Sequence, residues 1–380
     1  MSFVTEKRIS AYGAITLEDS LMIASLFDKQ YLADFARPGG GNSIQIRKYA
    51  TTTAGLYEGG EVIFDTLDED FVNLVIDRRI YKGAKLTDDE MSLDVVNFND
   101  QVSAPLVRSI SEQIEEQCIE EFYKVPSSAK YISGAPGTVE DLTMLNAQAK
   151  EQKFPNTLEK VLIIDPITSG RILGADGAKL MDASFGADGG AALRNAVIGK
   201  VGGLNIMESN LLPAKVVSSA TSGSATVAIP ANKAATAISV DGLTASETLH
   251  KGDILEFTND NGSIVKINVA ADYEALGAGD VVQVYFVPAT VDLGAPFVVE
   301  NTGFGMLSTT KTFAIGSYKQ EKLHDETDFI NDPDSGLSIR ITKDYKNFDH
   351  TLLLDCKFGA QLVNRGLAIR CDLDTDPQPV

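Results

Sequence analysis

Basic residues are scarce in this sequence. Its 380 residues include 33 lysines and arginines against 53 aspartates and glutamates, which gives a formal net charge of −20 at pH 7. A groove that follows a phosphate backbone needs clustered lysine and arginine, because these residues displace the counterions of nucleic acid. An acidic chain also repels anionic lipid. The charge balance therefore argues against tight binding to DNA or to a membrane surface.

Cysteine and long apolar runs are equally limited. The three cysteines, Cys118, Cys356 and Cys371, form no Cys-x-x-Cys pair, so the sequence indicates neither a disulfide framework nor a zinc ribbon. No run of eighteen apolar residues occurs, and the start, Met1-Ser-Phe-Val-Thr-Glu-Lys-Arg, lacks an apolar stretch after its charges. We therefore expect an intracellular protein with reduced thiols, no secretory signal and no membrane partner.

Catalytic patterns are also missing. The three histidines, His250, His324 and His350, are isolated and show no metal-binding spacing. Asp165 follows a buried strand, a position where phosphoryl-transfer enzymes place a nucleophile or metal ligand. The pair Asp165-Pro166 equally suits a helix N-cap followed by the first helical residue. Because no partner group stands where an enzyme would need it, we favour the cap and predict no catalytic residue, cofactor or metal.

Hydrophobic periodicity predicts three helices. The first runs from about Thr16 to Ala36, and the third from Val139 to Lys153 with Thr138 and Asp141 in capping-box spacing. The clearest helix spans Ser103 to Tyr123. Its apolar residues recur at four-residue spacing: Leu106, Ile110, Ile114, Cys118 and Phe122.

Two alternating strands, Ile44–Ala50 and Met91–Phe98, flank a forty-residue stretch with few apolar residues. An acidic block in this stretch is followed by a basic one. The residues that we single out are Asp68, Glu69, Asp70, Arg78, Arg79 and Lys82. One interpretation is a solvated loop, and the other is an arm on a neighbouring subunit. Opposite charge blocks on adjacent copies would fix their register, which favours the arm.

The C-terminal half is rich in short β-branched runs. Between Pro213 and Pro296 these runs alternate with hairpin turns such as Asp241-Gly242 and Asn261-Gly262, which predicts a small barrel or sandwich. The last seventy residues contain further strands that must pair with one another or with an N-terminal element. At roughly 150 residues per domain, the length suits two or three domains.

One stretch resembles a known family. Asp165-Pro166, Leu173-Gly-Ala-Asp-Gly, Ile198-Gly-Lys-Val-Gly-Gly-Leu-Asn-Ile and Glu208-Ser-Asn-Leu-Leu-Pro213 together resemble the axial-domain signature of tailed-bacteriophage major capsid (coat) proteins of the Hong Kong 97-type fold. The insertion after Pro213, with Leu249-His-Lys-Gly-Asp-Ile-Leu-Glu-Phe, looks like the inserted β-barrel of podovirus-type coat proteins.

The resemblance implies an α+β fold with an N-terminal arm, an extended β-hairpin loop (E-loop), a long spine helix, and axial and peripheral domains. The implied order of segments is: 1–43, N-terminal arm with helix; 44–98, E-loop; 99–135, spine helix of the peripheral domain; 136–213, axial domain; 214–296, inserted β-barrel; 297–380, return of the axial domain and peripheral strands.

The same resemblance implies a structural protein of the virion, not an enzyme. Copies assembled in the host cytoplasm would form hexamers and pentamers of an icosahedral capsid around double-stranded DNA, held without sequence-specific binding. A separate scaffolding protein and a portal protein are implied partners, and a decoration protein is left open. The acidic and basic residues singled out above would then make inter-subunit contacts. The alternatives are an α/β hydrolase or phosphotransferase using Asp165, and a phage tail-tube or adhesion protein.

Overall fold

The structure is a computed structural model that divides into two compact units. One comprises residues 1–118 and 311–364, and the other 119–310 and 365–380. The residues that it describes are 21–35, 41–48, 71–87, 99–126, 128–129, 138–180, 199–213, 216–232, 234–277, 279–300, 303–318, 320–321, 327–332, 335–346 and 349–371. The predicted strand at 91–98 and the acidic residues Asp68, Glu69 and Asp70 lie outside these ranges.

A five-stranded sheet forms the centre of the first unit. Its strands are β3 (Arg78–Thr87), β17 (Phe313–Ser317), β18 (Thr327–Asn331), β19 (Ser338–Lys346) and β20 (Asp349–Leu362). The order β17-β20-β19-β18 is antiparallel throughout, and β3 also pairs with β20. Three of the predicted C-terminal strands thus pair with one another, and the long β20 also pairs with the N-terminal strand β3.

The N-terminal part of this unit differs from the prediction. Where the sequence predicts one helix, the described residues form two single turns, α1 (Met22–Ser25) and α2 (Leu32–Phe35). Between them Asp28 forms a parallel bridge with Ala314 and donates its N–H to the Phe313 carbonyl at 2.8 Å. Pairing with the sheet edge therefore replaces the helical bonds that the apolar periodicity suggested.

Two further elements complete the first unit. The strands β1 (Ser43–Arg47) and β2 (Phe71–Val75) form an antiparallel pair, and the long helix α3 (Ala104–Ile119) follows a π-helical turn at Asn99–Ser103. The predicted helix is confirmed, and its apolar positions are buried as the four-residue spacing requires. Within the described residues, no helix combines the length and the apolar character needed to cross a membrane.

The second unit begins with a 3₁₀ helix at Glu120–Lys124 and contains a six-stranded mixed sheet. In sheet order its strands are β4 (Ser128–Ala129), β21 (Ala368–Cys371), β16 (Gly305–Thr309), β5 (Lys160–Ile164), β7 (Leu204–Glu208) and β6 (Lys200–Val201). The strand β21 follows a 3₁₀ turn at Arg365–Leu367.

Two helices accompany this sheet. The helix α4 (Val139–Glu151) starts at the predicted capping box, in which Asp141 N–H donates to the Thr138 hydroxyl and Thr138 N–H donates to the Asp141 carboxylate. The helix α5 (Pro166–Leu180) follows β5. Apolar residues of α4, β5, β7 and β21 share one core.

The insertion forms its own antiparallel sheet. In sheet order its strands are β12 (Ile264–Asn268), β11 (Ile254–Thr258), β15 (Pro296–Glu300), β8 (Ser222–Ala225), β9 (Ala237–Asp241) and β14 (Asp280–Gln283), with β10 (Thr248–Leu249) and β13 (Tyr273–Glu274) as a separate pair. The sheet curls until its outer strands meet. A bridge joins Val269 to Val284, Ala270 donates to the Gln283 carbonyl at 2.9 Å, and Tyr285 donates to that of Asn268 at 3.1 Å.

Candidate functional site: the strand Arg78–Thr87 and its anchors

The strand β3 carries the described members of the predicted contact set. It pairs with β20 over its whole length, from Arg78 opposite Phe358 to Thr87 opposite Asp349. None of its ten residues is buried, and the alternation of a strand places Arg79, Tyr81 and Lys85 on one exposed face. Tyr81 is 71% exposed. The strand thus exposes a basic and aromatic face and buries none of its side chains.

A buried carboxylate anchors this strand. Asp355, directly opposite Tyr81 on β20, is fully buried and accepts two hydrogen bonds from Arg79 Nε and Nη2, at 3.0 and 2.6 Å. Arg340 on β19 binds the same carboxylate in bidentate fashion through Nε and Nη2, both at 2.8 Å. Two guanidinium groups satisfy one buried anion, and this arrangement joins three strands.

Arg78 also has a partner within its own chain. Its Nη1 donates to the Gln117 carbonyl near the end of α3 at 2.6 Å. Beside it, β20 has a glycine where space is short, because a Cβ at Gly359 would overlap the backbone carbonyl of Val75. The residues leading into β3 therefore lie directly against β20, and Arg78 joins the strand to the helix.

The predicted contact residues thus separate into three groups. Arg78 and Arg79 bind groups of their own chain, Lys82 is exposed on β3, and the three acidic residues at 68–70 lie outside the described ranges. Contact between copies through these residues remains a prediction. The sequence reading also missed Arg340 and Asp355. Each is a charged residue within an apolar strand, and that signal points to a buried ion pair.

A second group of polar anchors holds the insertion in the second unit. Arg370 is fully buried on β21, donates from Nη1 to the Gly252 carbonyl at 2.6 Å and lies over the Phe304 ring with Cζ 4.7 Å from its centroid. Gly252 has φ +92°, and a Cβ there would meet the Tyr123 ring at 2.6 Å. Only glycine suits this turn, because both its backbone angle and its close contacts exclude a side chain.

Two further contacts support the same junction. Asn268 Nδ2 donates to the carbonyls of Tyr123 and Val125, both at 2.7 Å, and Lys251 Nζ binds the Glu120 carboxylate at 2.6 Å. Burial raises the pKa of the Tyr123 phenol to about 12. The insertion is therefore bound to the turn that follows the long helix by backbone-directed hydrogen bonds as well as by charge.

Asp165 takes the structural role that the sequence favoured. Its Oδ2 accepts the Thr168 N–H at 3.3 Å and its carbonyl accepts the Ser169 N–H at 3.1 Å, as expected of a residue that begins α5. Ser169 itself donates to Glu208. Among the residues that the structure describes, no cluster of three histidine, cysteine, aspartate or glutamate side chains is arranged to hold a metal ion. The three cysteines are buried and form no disulfide.

Comparison with known proteins identifies the fold. No protein-family model matches the chain, and no curated protein matches it. Among solved structures, one titled "Mycobacterium phage Che8" aligns with a TM-score of 0.51 at 13% identity over 92% of this chain and 90% of its own. The "Capsid structure of the Cyanophage P-SCSP1u" follows with a TM-score of 0.48, 12% identity and coverage of 88% and 84%.

A third match is the "Asymmetric unit of bacteriophage PhiM1 mature capsid", with a TM-score of 0.47, 13% identity and coverage of 89% and 84%. The alignment with the Che8 structure carries the conclusion about the fold. The expected overall fold is confirmed: an α+β fold like that of Hong Kong 97-like capsid proteins, with a long helix.

Proposed function

We propose that this chain is the major capsid protein of a tailed bacteriophage, and that its copies assemble as hexamers and pentamers into an icosahedral shell enclosing double-stranded DNA. The observation that carries the proposal is the agreement of fold over 92% of the chain with the Che8 phage structure. The protein is then structural and acts without catalysis or a cofactor. Its place is the virion, after assembly in the host cytoplasm.

Each segment of the chain is assigned to one part of the capsid fold. The helix α3 serves as the spine of a peripheral domain, residues 136–213 as the axial domain, and the segment 44–98 as the E-loop. The curled sheet at 214–296 is the inserted barrel typical of podovirus-type coat proteins. The backbone bonds between its outer strands support this assignment, because closing a sheet removes its exposed edges.

We assign the contact between copies to Lys82, which is exposed on the face of β3 opposite to Tyr81. Lys82 would meet Asp68, Glu69 and Asp70 of another copy. Arg78 and Arg79 instead fix the strand to its own chain. Many weak contacts of this kind, repeated around a ring, together make a stable assembly. In a closed symmetric shell every contact surface is paired with another copy.

The net charge of −20 suits a container for DNA. Repulsion between an acidic wall and the phosphate backbone would let DNA enter and move without adhering to the shell. The same function requires a portal protein for entry and a separate scaffolding protein for assembly.

Negative-stain electron microscopy of the expressed protein, with and without a co-expressed scaffolding protein, tests the proposal. Closed shells in the presence of the scaffold would support it. Tubes would indicate a tail-tube protein, and discrete particles under both conditions would favour the alternative of an enzyme that uses Asp165. Either of the last two results would overturn the capsid assignment.

A further inference from the structure

Glu115 is an acidic side chain buried inside the first unit. It lies on α3 and is 2% exposed. Its two carboxylate oxygens accept backbone N–H groups from the N-terminal segment: Oε2 from Ile23 at 2.9 Å and Oε1 from Ala24 at 3.0 Å. Leu21, Ile23 and Ala24 are themselves buried. Residues 21–24 therefore cover a carboxyl group that α3 presents more than ninety positions later in the chain.

Three further contacts of this segment involve no ionisable side chain. Phe27 stacks on Phe313 with ring centroids 4.9 Å apart. Asp28 donates its N–H to the Phe313 carbonyl at 2.8 Å, and its own carbonyl accepts the Ile315 N–H at 3.1 Å. These bonds involve backbone groups and apolar rings. The two hydrogen bonds to Glu115, in contrast, end on a carboxyl group that can gain or lose a proton.

The surroundings of Glu115 explain its proton affinity. Burial raises the pKa of Glu115 from its ordinary value of 4.5 to about 7, and the hydrogen bonds from Ala24 and Ile23 act in the opposite direction. The strand β17, which receives Phe27, contains no ionisable side chain. Among the described residues, the charged groups of residues 21–29 and of α3 besides Glu115 are Asp28, Lys29, Arg108, Glu112 and Glu116, and Arg78 of β3 donates to the Gln117 carbonyl on the same helix.

We propose that Glu115 is a proton-controlled latch, which holds residues 21–27 on the long helix when it is protonated and weakens their attachment when it is charged. When the segment lifts, the carboxyl group meets water, and its pKa returns towards 4.5. The attached state therefore holds the proton more tightly, so proton uptake favours attachment. Attachment weakens as the pH rises from about 4.5 to about 7, by up to roughly tenfold per pH unit.

Hydrogen exchange on the purified full-length chain tests the latch without requiring any shell. We expect the protection factors of the Ile23 and Ala24 amides to fall on the order of tenfold or more between pH 5.5 and 7.5. Glu115→Gln should remove this dependence, because the amide is neutral throughout. Glu116→Gln, an exposed position on the same helix, is the matched control and should behave like the unmodified protein.

Two results would overturn the latch: protection that does not change with pH in the unmodified chain, or the same pH dependence in Glu115→Gln. If that variant does not fold, the carbon-13 signal of the Glu115 carboxyl group in the unmodified chain decides. Titration near pH 7 together with the Ile23 and Ala24 amides supports the latch, and titration near 4.5 refutes it. Neither outcome depends on whether the chain forms shells.

Discussion

The insertion at 216–300 and the strand β3 are ordered by different means. The insertion has a core drawn from its own residues, with Leu255, Phe257 and Phe297 buried inside one curled sheet. The strand β3 contributes no buried residue, and its position depends on pairing with β20 and on the bond from Arg79 to Asp355. The first is a domain in the physical sense. The second is a segment whose conformation is set by a distant part of the chain.

Replacing the buried anion should have the largest effect. Asp355→Asn leaves the guanidinium of Arg340, which is 5% exposed, without its carboxylate and weakens the hold on Arg79. We expect the free energy of unfolding to fall by about 3–5 kcal/mol, the usual result of breaking a buried pair. Chemical denaturation measures this change.

Asp344→Asn is the matched control, because Asp344 is an exposed residue of the adjacent strand β19. It should change stability by less than about 0.5 kcal/mol. A similar small loss for Asp355→Asn would show that pairing with β20 suffices to hold β3, and that the ion pair is not the anchor.

A cavity in the insertion should act locally. Phe257 is fully buried and lies 5.0 Å from the Phe297 ring, centroid to centroid. Phe257→Ala should destabilise the insertion by about 3–4 kcal/mol, through lost burial and the cavity left behind. Hydrogen exchange should show the increase within 216–300, with β3 and β20 unchanged. Equal loosening of β3 would contradict the independence of the two regions.

The junction below the insertion should show a smaller effect. Arg370→Met retains a long side chain beside Phe304 but removes the guanidinium that donates to the Gly252 carbonyl. The carbonyl then loses this hydrogen bond. We expect a loss of about 1–3 kcal/mol. Arg365→Met, which removes a half-exposed guanidinium over the Phe286 ring, should cost less. Thermal unfolding measures both variants. An equal loss of stability in the two would mean that the burial of Arg370 does not make its hydrogen bond more important than the contact of Arg365.

The exposed side chain of Lys82 should be nearly neutral for folding. Lys82→Glu should change the free energy of unfolding by less than about 0.5 kcal/mol, because its side chain is exposed. The same change should slow or block particle formation, since it places a like charge opposite the acidic residues of another copy. Light scattering with scaffold measures this rate. Normal assembly would exclude Lys82 from the contact.

Local sequence patterns predicted several elements of the fold correctly. The four-residue spacing predicted α3, the Thr138–Asp141 pair predicted the start of α4, and Asp241-Gly242 marked a turn at which Gly242 has φ +87°. These signals involve residues close together in the chain, so their physics can be read without knowing the fold.

Distant contacts could not be read in this way. Arg79 and Asp355 are 276 positions apart, and in sequence Arg79 resembles any member of a surface charge block. The helix predicted over residues 16–36 is interrupted at Asp28 because a sheet edge supplies other hydrogen bonds. For the candidate site, the sequence located the charged segment but did not reveal that two of its bases bind within the chain.

A reconstruction by electron cryomicroscopy of particles assembled from the unmodified chain tests the central claim most directly. The proposal predicts a closed icosahedral shell of hexamers and pentamers, in which Lys82 of the strand Arg78–Thr87 contacts the acidic segment at 68–70 of an adjacent copy. Helical tubes, or particles of defined size that never close into a shell, would contradict the capsid function. A closed shell with Lys82 turned to solvent would retain the function and refute the assigned contact.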